Sequence, residues 1–190
     1  MTTIGSRALP VATVEVTKNT LPALADDPDV VAVLPNQRIH PIEPQTVDYQ
    51  KLARKEIKDR LTWGLKHLDI PKMWETTTGA DINVAVLDTG VYGEHPALGG
   101  RVSEFVVVDP LGRRITTNTS FDGGQHGTHV CGIIAGGKTD KGVSIGVAPD
   151  ARLLVAGVLI GKGTLRALME GISWAVENGA DIINMSLGFT

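Results

Sequence analysis

Apolar and polar positions change their period several times along the chain, and each change marks an element. Val11, Thr13, Glu15 and Thr17 alternate with Ala12, Val14 and Val16, the two-residue period of a strand. Thr20 to Ala25 has helical character, and the β-branched run of Val30, Val31, Val33 and Leu34, ended by Pro35, predicts a second strand. So small an α/β unit buries little by itself and needs a surface to lean on. Pro41 and Pro44 then interrupt regular structure. Lys51, Arg54, Lys55, Lys58 and Arg60 stand against Glu56 and Asp59, the pattern of a solvated linker or exposed helix.

From Asp69 onward the pattern alternates strand and helix. Ile82 to Leu87 is an unbroken apolar run, as in a strand buried on both faces of a parallel sheet. Val102 to Val108 and Leu153 to Ile160 predict further strands, and residues 126–136 a glycine-bearing helix. Leu165, Leu168, Met169, Ile172, Ala175 and Val176 follow helical spacing, with Thr164 as N-cap and Gly179 as the stop. Ile182 to Leu187 predicts a last strand before Gly188. The expectation is an α/β fold with a mostly parallel sheet covered on both faces.

Composition narrows the class. The 190 residues hold 18 Lys or Arg and 21 Asp or Glu, a net charge of −3, which offers no electrostatic footprint for nucleic acid. Gly is high at 22 residues, yet without a G-X-Y period and with only 10 Pro it signals neither collagen nor low complexity. Cys131 is the only cysteine, which excludes an intrachain disulfide and a cysteine zinc cage. No run approaches the roughly 18 apolar residues of a membrane span, so no membrane partner is expected. No leader is visible in the first ten residues.

Three clusters carry chemistry. Asp88 follows a buried strand and precedes Thr89 and Gly90, the place in an open α/β sheet where ligands and catalytic groups collect. His126-Gly127-Thr128-His129-Val130 opens a helix behind Asp122-Gly123-Gly124-Gln125, so His126 can project into a cleft beside a strand end. His126 and His129 with Asp88 offer a metal-site alternative, but the HExxH spacing is missing and no metal site is expected. Asn184-Met185-Ser186-Leu187-Gly188 ends the last strand. Ser186 does not sit in a G-x-S-x-G nucleophile elbow. Cys131 lies about 140° around the helix from His126 and reads as a core thiol.

In this order, Val84 to Gly90, His95-Pro96, His126 to Val130, Gly146-Val147-Ala148-Pro149 and Asn184 to Gly188 resemble the subtilisin family of serine proteases. The resemblance covers about residues 62–188. It implies a three-layer, mostly parallel subtilisin-like sheet, incomplete here, preceded by a small α+β propeptide-like unit. The implied organisation is a partial propeptide over 1–43, a linker over 44–68, and the N-terminal part of the catalytic domain over 69–190. In the family the propeptide packs on the catalytic domain and places its tail in the cleft.

By the same resemblance Asp88 orients a general base, His126, while Ser186, Leu187 and Gly188 form the edge that binds the substrate backbone. The substrate is then a protein or peptide. The family's nucleophile lies in a Gly-Thr-Ser block, and none occurs in these 190 residues. The expectation is therefore an inactive chain, completed by a C-terminal segment or another chain along the last strand's open edge. The alternative is a non-catalytic peptide- or partner-binding protein on the same scaffold. No cofactor is expected: calcium is weakly supported, because Ala97 stands where the family carries an acidic ligand and Asp140 is a lone carboxylate in its loop. Family precedent is secretion, while the absence of a visible leader also permits a cytoplasmic home.

Overall fold

The apolar run at 84–87 is unbroken because both of its faces are covered. In the computed structural model, which describes residues 4–5, 8–43 and 49–189, the elements follow in the order β1 (Ile4–Gly5), β2 (Ala12–Thr13), α1 (Leu21–Ala25), β3 (Ile39–Pro41), α2 (Tyr49–Asp59), α3 (Trp63–His67) and α4 (Ile70–Trp74). They continue with β4 (Asn83–Asp88), β5 (Val102–Val108), β6 (Arg114–Ile115), α5 (His126–Ala135), β7 (Arg152–Gly157), α6 (Leu165–Glu177), β8 (Ile182–Asn184) and β9 (Leu187–Phe189).

A five-stranded sheet in the order β6-β5-β7-β4-β8 organises the molecule. β5, β7, β4 and β8 run parallel, and only β6 is antiparallel. Alternate residues of a strand face opposite sides. Val84 and Val86 accordingly pack with Leu153, Val155, Val130, Cys131 and Ala135 on the α5 side. Ala85 and Leu87 pack with Leu154, Ala156, Ala167, Leu168 and Trp174 on the α6 side. The parity that sends Val84 and Val86 toward α5 sends Asp88 there too, at the carboxyl end of β4. That is the first link from sequence to site.

The α5 and α6 predictions hold closely. Thr164 Oγ1 accepts the Ala167 N–H at 3.1 Å to cap α6, and Gly179 leaves the helix at φ +74°. The basic segment contains the exposed helix α2, tied to α3 by Asp59–Lys66 at 2.7 Å and by Glu56 accepting the Trp63 N–H at 2.8 Å. The first part of the expected linker, 44–48, lies outside the described residues.

Four expectations change. Only Ala12 and Thr13 of the first alternating run form a ladder, with β1. Val30 to Leu34 forms no strand: Val31 is fully exposed, and β-propensity has no effect without a partner surface. The last strand divides at Met185–Ser186, so β8 stays in the main sheet while β9 pairs antiparallel with β3. The predicted strand at 153–160 also ends early, because the Val158 and Leu159 N–H groups turn to the Asp88 carbonyl.

Candidate functional site

Asp88 is fully buried at the end of β4, and His126, the first residue of α5, is 9% exposed. His126 Nδ1 lies 2.8 Å from Asp88 Oδ1 and 3.0 Å from Oδ2, and Thr89 N donates to Oδ1 at 2.7 Å. An unpaired carboxylate would be costly at this depth; here it is hydrogen-bonded by both neighbours.

Two glycines let the helix come so near. A Cβ on Gly127 would stand 2.0 Å from the Gly90 carbonyl oxygen, and one on Gly90, at φ +108°, would stand 2.2 Å from the Phe121 carbonyl. Neither position admits a side chain without movement of the backbone. The Asp122 carboxylate serves the opening of α5, accepting from the N–H groups of Gly124, Gln125 and Thr128.

The other ring nitrogen of His126 meets the chain itself. His126 Nε2 is 3.0 Å from the Ile42 carbonyl oxygen. Ile42 N donates to Ser186 O at 3.1 Å, and upstream His40 pairs with Gly188 and Pro41 with Leu187. Pro41 falls between hydrogen-bonded pairs, where its missing N–H costs nothing. Ile39 is 5% exposed and anchors the segment in the α6-side core, with its N–H on the Gly163 carbonyl at 3.1 Å. Residues 39–42 thus lie as an extended strand along 186–189, ending at the imidazole.

Burial disfavours a charged His126 ring, but the Asp88 hydrogen bond and charge, the Ile42 carbonyl and the Glu43 charge outweigh it and raise its pKa above the ordinary imidazole value. Burial likewise opposes ionisation of Asp122. Its hydrogen bonds from Thr128, Thr89 and Gly124 win and lower its pKa. Burial first, and the charges of Asp88 and Asp122 second, push the Cys131 thiol far up, which keeps it an inert core group.

The structure therefore brings together Asp88, His126 and the backbone of Ser186, Leu187 and Gly188. The Ser186 hydroxyl does not reach His126; it donates to Asn184 Oδ1 at 3.0 Å. His129 lies on the exposed face of α5, and among the described residues no three His, Cys, Asp or Glu groups converge as a metal would require. Sequence reasoning placed a propeptide tail in the cleft by resemblance without naming Ile39–Ile42, and gave no role to Thr89 and Asp122. The apolar residues flanking His40-Pro41 were the available signal for the first, but their strand partner lies nearly 150 positions downstream.

The Peptidase S8, subtilase family, model matches residues 79–189, more than half of the chain. The chain belongs to the subtilase family. It is 36% identical over 150 residues to an intracellular serine protease of Paenibacillus polymyxa, covering 75% of this chain and 44% of that protein. With a thermostable alkaline protease of Halalkalibacterium halodurans it shares 35% identity over 188 residues, 96% of this chain and 44% of the other. Among solved structures, fervidolysin from Fervidobacterium pennivorans, a keratinolytic enzyme related to subtilisin, superposes with a TM-score of 0.50 at 36% identity, covering 62% of this chain and 18% of that one. The chain spans less than half the length of these subtilases. Its subtilisin-like α/β fold and membership of a serine protease family agree with the motifs read from the sequence.

Proposed function

We propose that this subtilase chain supplies the Asp and His of a serine endopeptidase, held in a self-blocked state. Asp88 holds the Nδ1 proton, which leaves Nε2 as the basic nitrogen and steadies the imidazolium once a hydroxyl proton has been taken. His126 is the general base. The Ser186 carbonyl and the β9 backbone at Leu187 and Gly188 are the edge on which an extended protein or peptide substrate is laid. The nucleophilic hydroxyl comes from a complementing C-terminal segment or chain, and the isolated chain does not hydrolyse peptides.

One observation carries this reading: an extended peptide, residues 39–42, lies paired along 186–189 with its last carbonyl 3.0 Å from a histidine that is itself bonded to a buried aspartate. That is a substrate-like pose, and it covers the nitrogen that must receive the proton. Residues 39–42 are thus an internal competitor for substrate, in keeping with a propeptide tail.

The test has two arms. The purified chain, incubated with a serine-directed fluorophosphonate, takes up no lasting label; stable labelling overturns its inactivity. In the enzyme completed by its nucleophile, His126→Ala lowers kcat by roughly 10²–10⁴-fold, the usual worth of a positioned base. An unchanged kcat overturns the assignment. A non-catalytic peptide-binding role is favoured by the backbone carbonyl at Nε2, and it gains if the completed protein also resists the probe while binding an extended peptide.

A further inference from the structure

Asp122 is bound more extensively than a helix cap requires. Its Oδ1 accepts from Thr89 Oγ1 at 2.7 Å and from the N–H groups of Gly124 and Gln125 at 2.9 Å each. Its Oδ2 accepts from Thr128 N at 2.7 Å and from the Thr128 hydroxyl. Thr89 is the unusual partner, because it belongs to the strand-end turn and not to the helix. A hydroxyl has one proton, and Thr89 gives its proton to Asp122. The lone pairs thereby left on Oγ1 accept the Gly127 N–H at 2.9 Å, next in chain to His126. The Thr89 N–H meanwhile holds Asp88 Oδ1 at 2.7 Å. One residue thus touches the carboxylate of Asp88, the helix turn that bears His126, and Asp122.

We propose that Asp122 is a positioning residue that acts through Thr89 and the first turn of α5 to set the spacing and orientation of His126 against Asp88. Two backbone bonds keep the same loops joined without it, Gly123 N to Thr89 O at 2.9 Å and Val91 N to Phe121 O at 3.0 Å. The loops therefore stay together when the carboxylate is lost, while the interval between the two working side chains is no longer fixed. An asparagine in its place has only one acceptor oxygen for two clusters of donors, and its amide nitrogen faces N–H groups. The proposal rests on the reading of Asp88 and His126 as the working pair, and the test separates the two.

Proton NMR of the full chain gives two readouts that global stability does not move: a far-downfield Nδ1 proton on His126, and the ring's titration. Wild type is expected to show that proton and to titrate above the ordinary value of about 6.5. Asp122→Asn and Thr89→Val each lose the downfield signal or move it upfield, and His126 titrates closer to the ordinary value. Thr89→Ser, which keeps the hydroxyl, retains both signatures. Asp109→Asn is the control: Asp109 likewise takes the Leu111 and Arg113 N–H groups and the Arg113 side chain, but in a distant turn, so its loss leaves His126 unchanged. If Asp122→Asn does not fold by circular dichroism, Thr89→Val decides by the same signals. A wild-type signal that persists in the folded variants overturns the role of Asp122 alone. A wild-type chain without the signal overturns the Asp88–His126 pair and the role of Asp122 with it.

Discussion

His126 faces a hydrogen-bond acceptor from each ring nitrogen: Asp88 at Nδ1 and the Ile42 carbonyl at Nε2. Only the doubly protonated ring donates to both. Its raised pKa therefore links protonation to docking of residues 39–42. The unfolded imidazole titrates near about 6.5, so the stabilisation is complete below that pH and is lost as pH rises through the higher folded value. Denaturant titrations should show wild type more stable than His126→Gln in mild acid, with the gap closing as pH rises through the raised folded pKa. Asp88 and Glu43 are the charges facing the ring, and both favour this direction. A gap independent of pH would contradict the linkage. Gly127 offers a second test at this scale. Helix propensity favours alanine by about 0.8–1 kcal/mol, whereas overpacking costs about 1–3 kcal/mol. With its Cβ 2.0 Å from Gly90 O, the contact decides the sign, and Gly127→Ala should lower stability by about 1–2 kcal/mol, seen as a lower urea midpoint at unchanged slope.

Elements whose partners are near in sequence, or whose burial is continuous, were legible from periodicity. The helical spacing from Leu165 to Val176, the Thr164 cap and the Gly179 stop are all observed in α6. Thr164→Ala should cost about 1–2 kcal/mol, toward the upper end because its hydroxyl also donates to the Pro110 carbonyl at 3.1 Å. The β3–β9 pair was not legible, since three residues around a proline carry no period and their partner is remote. Ile39 supplies the binding energy that short ladder lacks. Ile39→Ala removes buried area worth about 2–4 kcal/mol, and the loss should fall on docking of this strand. Hydrogen exchange at 39–42 should speed up and His126 should titrate lower, while amides of β4 and β7 keep their protection. Protection lost equally in β4 would show that the strand is instead part of the global core.

For the whole molecule, stability is concentrated in the sheet and the two helices that cover it. Leu87 and Leu153 are fully buried on opposite faces, while Val31 and Leu34 in the N-terminal unit stand exposed. Amides of 84–87 and 153–156 should therefore exchange only through global unfolding, and those of 12–31 at much lower opening free energy. Hydrogen-exchange mass spectrometry checks this, and equal protection of both regions would argue for one cooperative unit.

The sequence by itself determined the α/β class, which local period and composition carry, and its motif blocks in their order carried the resemblance to the subtilases. It also led to Asp88, His126 and residues 186–188. Only the tertiary structure decided that residues 39–42 occupy the edge at 186–189, that the final strand divides between two sheets, and that Asp122 joins the turn at Thr89 to the helix at Gly127. Each of these depends on groups distant in the chain meeting within about 3 Å, and hydrogen bonds that short and directional leave no period in the sequence.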